Sequence, residues 1–173
     1  TITTASDGLS TTDDDASANA LAAGINTAEG TTGVSAEANA TTANLGTVTA
    51  ATLDGTDFQI NGVSILATVV SGDSDSALQN AINNVQNLTG VTASLDNSNN
   101  LILTAEDGRN IQLTTDGNGS AATFSAFAVN GAANDDVIVG TVTLTSDDAF
   151  TVDTGITQGT HGQTISAGTV QIT

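Results

Sequence analysis

The chain has 173 residues, a formal net charge of −18, a single Arg with no Lys, no Cys, and four Phe as its only aromatic residues. With one cation, attraction to nucleic acid or to an anionic membrane has no electrostatic basis. Without Cys no disulfide, thiolate metal site or thiol nucleophile can form. No run approaches the roughly 18 apolar residues of a membrane span, and no basic leader marks a signal peptide.

The core must be built from Ala, Val, Ile and Leu. These bury little area per residue at roughly 25 cal/mol per Å², so thin layers are expected in place of a deep globule. A chain of this length forms one large or two small domains, at about 100–200 residues each. The acidic balance makes a solvated, self-repelling surface.

Residues 1–12 read as a strand around Ile2 followed by a polar loop. The chain opens in mid-pattern without an initiator Met, so a segment of a longer protein is expected. Asp13-Asp14-Asp15 then precedes a helix over Ala16 to Ala28, with acidic residues placed for its first turn. A Thr/Ala-rich stretch follows, with apolar positions at Ala38, Ala40, Leu45, Val48 and Leu53.

The most informative stretch runs from Phe58 to Leu113. Phe58, Ile60, Asn61-Gly62, Val63 and Ile65 open it as strand, turn and strand. Ala77, Leu78, Ala81, Ile82, Val85 and Leu88 form one apolar helical stripe. Asp73, Ser74 and Asp75 supply acceptors and negative charge at the helix start. Thr89-Gly90 stops the helix, because Gly enters the left-handed cap without a Cβ penalty. Val91, Ala93 and Leu95 alternate as a half-buried strand. Turns at Asp96–Asn100 and at Glu106-Asp107-Gly108 lead to strands at Leu101–Ala105 and Ile111–Leu113, a three-stranded meander.

An internal repeat relates this stretch to the first part of the chain. Placing Ala20-Leu21 on Ala77-Leu78, an offset of 57 (77 − 20), puts Ile25-Asn26 on Ile82-Asn83 without a gap. The same offset puts Thr32-Gly33-Val34 on Thr89-Gly90-Val91, Ala36 on Ala93 and Ser17 on Ser74. Beyond Ala121 the helical signal ends. Phe124, Phe127 and Val129 lead to the turn pair Asn130-Gly131, then to strands at Val137–Val139, Val142–Leu144, Phe150–Val152 and Val170–Ile172.

The expected fold class is therefore α+β: small helices packed on antiparallel sheets, with two related helix-plus-meander units followed by a β-rich segment. The expected division is 1–52, 53–120 and 121–173, with the last part returning to pair with the N-terminal strand. Both ends would then emerge together.

Candidate sites are few. His161 is the only imidazole and has no second His or Cys for a zinc site or triad. Arg109 is expected to pair with a carboxylate across the Glu106–Gly108 turn, an exposed contact of about 0–1 kcal/mol. Asp116–Ser120 and Asp96–Asn100 open like calcium loops, but both lack the sixth-position Gly, having Ala121 and Leu101 there. Both read as hairpin loops. Asn39, Asn87 and Asn118 begin N-glycosylation triplets of the kind that chance supplies in such a chain. Thr1-Ile2-Thr3 and Thr141-Val142-Thr143 do not recur at a fixed period, which disfavours an ice-binding face. No catalytic, cofactor-binding or metal-ligating residues are assigned, and no cofactor is expected.

The residues Phe58, Ile60-Asn61-Gly62, Ala81-Ile82-Asn83, Thr89-Gly90-Val91, Ala93, Leu101, Leu103, Asp107-Gly108 and Ile111 resemble, in order, the IN motif of bacterial flagellins and of related hook-associated and filament-cap proteins. Val142–Ser146 and Phe150–Val152 resemble segments that follow the motif there. The resemblance implies the central variable, surface-exposed region of a flagellin: a non-catalytic, extracellular filament component adding bulk, solubility and antigenic variety. It also implies that assembly with other flagellin subunits resides in terminal heptad helices that this chain lacks. A monomeric fragment with surface glycosylation is then expected. The alternatives are a hook-associated or filament-cap domain, or an adhesive, glycan-binding module of a cell-surface protein, which the lack of Trp and Tyr disfavours.

Overall fold

The computed structural model describes residues 2–115 and 134–152. Helix α1 (Ala18–Thr27) starts at Ser17, whose hydroxyl accepts the Ala20 N–H at 3.0 Å. The Asp13–Asp15 run lies ahead of this cap and places no acidic residue in the first turn, contrary to expectation. After the short α2 (Glu29–Thr32), Gly33 closes the helical segment at φ 66°. Strands β1 (Ser35–Ala38), β2 (Thr41–Gly46), β3 (Ala51–Ile60) and β4 (Val63–Val69) follow. Asn61 and Gly62, at φ 49° and 75°, make the left-handed two-residue turn between β3 and β4.

Helix α3 (Ala77–Asn84) is capped from below by Asp73. Its carboxylate accepts the N–H groups of Leu78 and Gln79 at 2.8 and 2.9 Å and is fully buried. Leu78 and Ile82 of the apolar stripe reach the core with no exposed surface. The stripe does not continue to Leu88, which is 71% exposed, because the helix breaks at Val85 (φ −107°) and α4 (Gln86–Thr89) turns away. Gly90 ends α4 at φ 72°, as the sequence requires. Strands β5 (Thr92–Leu95), β6 (Leu101–Ala105), β7 (Ile111–Thr115), β8 (Asn134–Ile138) and β9 (Val142–Thr145) complete the described residues.

The fold is α+β, with short helices on antiparallel sheets. The sheets are β1-β9, β2-β6-β5 and β4-β3-β7-β8. The expected meander β5-β6-β7 is therefore only half realised. β5 and β6 pair, but β6 takes β2 on its other edge, and β7 pairs with β3 and β8 in a different sheet. Glu106–Gly108 acts as a corner between two sheets, where Asn61 holds β7: the Gln112 N–H donates to Asn61 Oδ1 at 2.8 Å, and the Asn61 N–H to the Gln112 carbonyl at 2.9 Å. The first unit likewise has no meander of its own, since β1, β2 and β3 join three different sheets.

The main core lies between the two larger sheets and α3. Phe58, contrary to the expectation of a core built from Ala, Val, Ile and Leu, joins Ile60, Ile65, Leu78, Ile82, Leu101, Leu103, Ile111 and Leu113 there, all at most 1% exposed. Ala18, Ala20, Ala22 and Val34 are buried outside this cluster, in a small-residue layer under α1. Ile2 is not in a strand; residues 2–4 run irregularly against α1 at Gly24, where an added Cβ would sit 2.8 Å from the Thr3 carbonyl oxygen. Phe150–Val152 also lack strand structure. The expectations for Phe124, Phe127, Val129, Asn130-Gly131, Val170 and Ile172 lie outside the described residues.

Candidate functional site

The residues that define the sequence motif all serve the fold. The Asn61 side chain is 5% exposed and joins three elements: besides its bonds to β7, Nδ2 donates to the Thr89 carbonyl at 2.8 Å at the end of α4. Asn83 projects from α3 onto β5. Its Nδ2 donates to the Ala93 carbonyl at 3.0 Å and its Oδ1 accepts the Ala93 N–H at 2.8 Å. The amide thus acts as an extra strand along the edge of β5, satisfying backbone groups that would otherwise be left unpaired. Thr89 closes the corner by accepting the Val91 N–H at 3.1 Å.

Arg109 is held more firmly than an exposed ion pair. Nη2 lies 2.6 Å from Asp107 Oδ2, with Nε adding bonds at 2.9 and 3.1 Å. Nη1 reaches the carbonyls of Leu9 and Thr89, each at 3.4 Å. Its side chain is only 15% exposed and lies across Gly90, where an added Cβ would be 2.2 Å from the guanidinium carbon. The predicted pairing with a turn carboxylate is present, but it is part-buried and fixes an N-terminal strap as well.

The strap comprises residues 7–15, and sequence reasoning missed it. Asp7 folds it locally, accepting from the N–H groups of Leu9 and Ser10 and from the hydroxyls of Ser10 and Ser17. Asn110 fastens it to β7: its N–H donates to Ser10 Oγ at 2.9 Å, and its Nδ2 to the carbonyls of Thr12 and Asp13 at 3.1 and 3.0 Å. Ser6-Asp7-Gly8 was the available signal, an Asx-type turn.

Burial opposes ionisation of Asp7, but the hydrogen bonds from Ser17, Ser10 and Leu9 outweigh it and hold the carboxyl below the ordinary aspartate value. At Asp107 burial is likewise outweighed, by Arg109, and the carboxyl is again held low.

Of the remaining candidates within the described residues, Asp96–Asn100 forms a loop. Asp96 Oδ1 accepts the N–H groups of Ser98 and Asn100 at 2.7 and 2.9 Å, and Oδ2 the Asn100 side-chain amide at 2.8 Å. Those bonds, Asn100 first, hold the Asp96 carboxyl low and make this a hairpin loop. Asn39 is engaged by Thr141 and Thr143 at 3.0 and 3.1 Å. Asn87 lies in α4. His161, Asp116–Ser120 and Asn118 lie outside the described residues. Among the described residues no three His, Asp or Glu side chains group as metal ligands. A shallow groove of about 330 Å³ between β4 and α3 is lined by Ser64, Leu66, Ala77, Asn80, Ala81, Asn84 and Val85, none of them titratable.

Residues 57–107 match the family model described as the flagellin hook IN motif. The chain is also similar to flagellin A of Helicobacter mustelae, 36% identical over 118 residues, which is 64% of this chain and 24% of that protein. The chain therefore spans about a quarter of the curated relative it matches. With the motif's asparagines placed as described, the chain carries a flagellin hook IN motif at residues 57–107 and is similar to a flagellin over 64% of its length.

Proposed function

We propose that this chain is a surface-exposed structural module of the bacterial flagellar filament, extracellular, and without catalytic activity. The observation that carries this reading is the employment of Asn61, Asn83 and Thr89–Val91 in the fold itself, at the positions the motif specifies. A motif whose polar residues staple helix to sheet describes a scaffold for display, and a chain of net charge −18 gives that scaffold a soluble, mutually repelling outer face. Filament assembly belongs, on the flagellin resemblance, to terminal heptad helices. The described helices here are at most 10 residues long, and none presents such a seam.

Two measurements test the reading. Light scattering should return a monomer of 17.0 kDa, and the sequence on either side of the chain in its parent protein should hold long amphipathic helices. A concentration-dependent polymer of this chain, or a parent composed of tandem copies behind a signal peptide, would move the reading to a cell-surface adhesin.

A further inference from the structure

The offset of 57 that relates the two helices in sequence also relates their hydrogen bonds. Asn26 brackets Ala36 as Asn83 brackets Ala93, donating to its carbonyl at 2.8 Å and accepting its N–H at 2.7 Å. The Gly33 N–H donates to the Glu29 carbonyl and the Gly90 N–H to the Gln86 carbonyl, both at 2.7 Å. Strand β1 precedes β5 by 57 residue for residue.

The partner strands obey a second constant offset. β5 pairs Ala93 with Leu103 and Leu95 with Leu101; β1 pairs Ala36 with Leu144 and Ala38 with Val142. Leu144 and Leu103 differ by 41 (144 − 103), as do Val142 and Leu101; the intervening pairs Glu37–Thr143 and Ser94–Ile102 and the flanking pairs Ser35–Thr145 and Thr92–Thr104 keep the same register. Val142–Thr145 is thus to the first helix what Leu101–Thr104 is to the second. Ser146, which follows it, is buried like its counterpart Ala105.

From this we infer that residues 17–38 and 141–152 form a second unit of the IN type, outside the matched segment, split by insertion of the first. In the inner unit β6 begins 6 residues after β5 ends (101 − 95); in the outer unit β9 begins 104 residues after β1 ends (142 − 38). The closure entropy of a connection grows only with the logarithm of its length, so a folded insertion at Asn39–Thr141 is tolerable. The Asn39 N–H donates to the Thr141 carbonyl at 2.8 Å, closing the outer unit at the insertion point. The three consecutive parts expected at 1–52, 53–120 and 121–173 become, in this proposal, a nest. On the filament reading above, the outer unit is the attachment and the inner unit the displayed part.

Cysteine pairs in the otherwise Cys-free full chain test the nesting. Because Asn26 and Asn83 occupy both backbone groups of Ala36 and Ala93, these residues face β9 and β6 as non-hydrogen-bonded pairs, with Cα atoms about 4.5 Å apart and inside the disulfide range. Ala36→Cys with Leu144→Cys should close on mild oxidation, as should Ala93→Cys with Leu103→Cys. Glu37→Cys with Leu144→Cys, whose side chains face opposite sides, should stay reduced. A second readout needs no cysteine: Asn26→Ala should speed amide exchange at Ala36 and through β9 about tenfold, leaving β5 and β6 unchanged. An open Ala36–Leu144 pair in folded protein, or β9 exchange indifferent to Asn26→Ala, would overturn the split unit. Either failure leaves the filament reading standing, because that reading does not depend on how the units are nested.

Discussion

Asn83 holds Ala93 by both polar groups of its backbone, at 3.0 and 2.8 Å, from a helix onto a strand. Ala93 is 5% exposed, so removing the amide leaves a donor and an acceptor with little access to water. Asn83→Ala should lower stability by about 2–4 kcal/mol. Asn26→Ala, at the more exposed equivalent site, should cost about 1 kcal/mol. Urea unfolding of the two variants decides this; equal losses would mean that burial does not separate the two sites.

Gly33 and Gly90 occupy equivalent caps at φ 66° and 72°. Alanine at either must adopt the left-handed region, at about 1–2 kcal/mol. Open space surrounds Gly33, whereas a methyl at Gly90 collides with the Arg109 guanidinium. Gly90→Ala should therefore be the more damaging, and its thermal midpoint should fall further than that of Gly33→Ala.

Arg109→Ala should free the strap more than it unfolds the domain. Limited proteolysis should cut within residues 7–15, while the amide protection of β6 and β7 persists. Loss of protection across β6 and β7 at the same rate would show that the strap is inseparable from the core.

The acid response follows from Asp7. Its carboxyl is held below the ordinary value of 3.8, so the fold favours its ionised form. That contribution is complete above 3.8 and disappears as the pH falls from there through the lower folded value. Asp7→Asn should cost up to about 1 kcal/mol at neutral pH, a modest figure because the group is part-exposed. The variant should also show a shallower loss of stability below pH 4 than the parent chain. An unaltered acid profile would remove Asp7 from the explanation.

How much of this was legible in the sequence depended on distance along the chain. The strand at Phe58–Ile60, the Asn61-Gly62 turn, the Gly90 stop and the strands at 92–95, 101–105 and 111–115 follow from alternation and turn chemistry, which are local. Partners are not local. Nothing in Leu101–Ala105 says that β2 covers its free edge, and nothing in Ser35–Ala38 names Val142–Thr145 as its mate. The Leu88 error has the same root, since spacing continues the apolar stripe while the backbone break at Val85 does not. Pairing of Arg109 with a carboxylate of its own turn is local and legible, and the structure gives it to Asp107, two residues away. Its contact with Leu9, 100 residues away, required the fold.

The most direct test of a filament role is labelling of intact flagellated cells of the source with antibody raised against this chain. Decoration along the full length of the filament, abolished by competing soluble chain, is the predicted result. Label confined to the hook or the filament tip, or spread over the cell body, would contradict it.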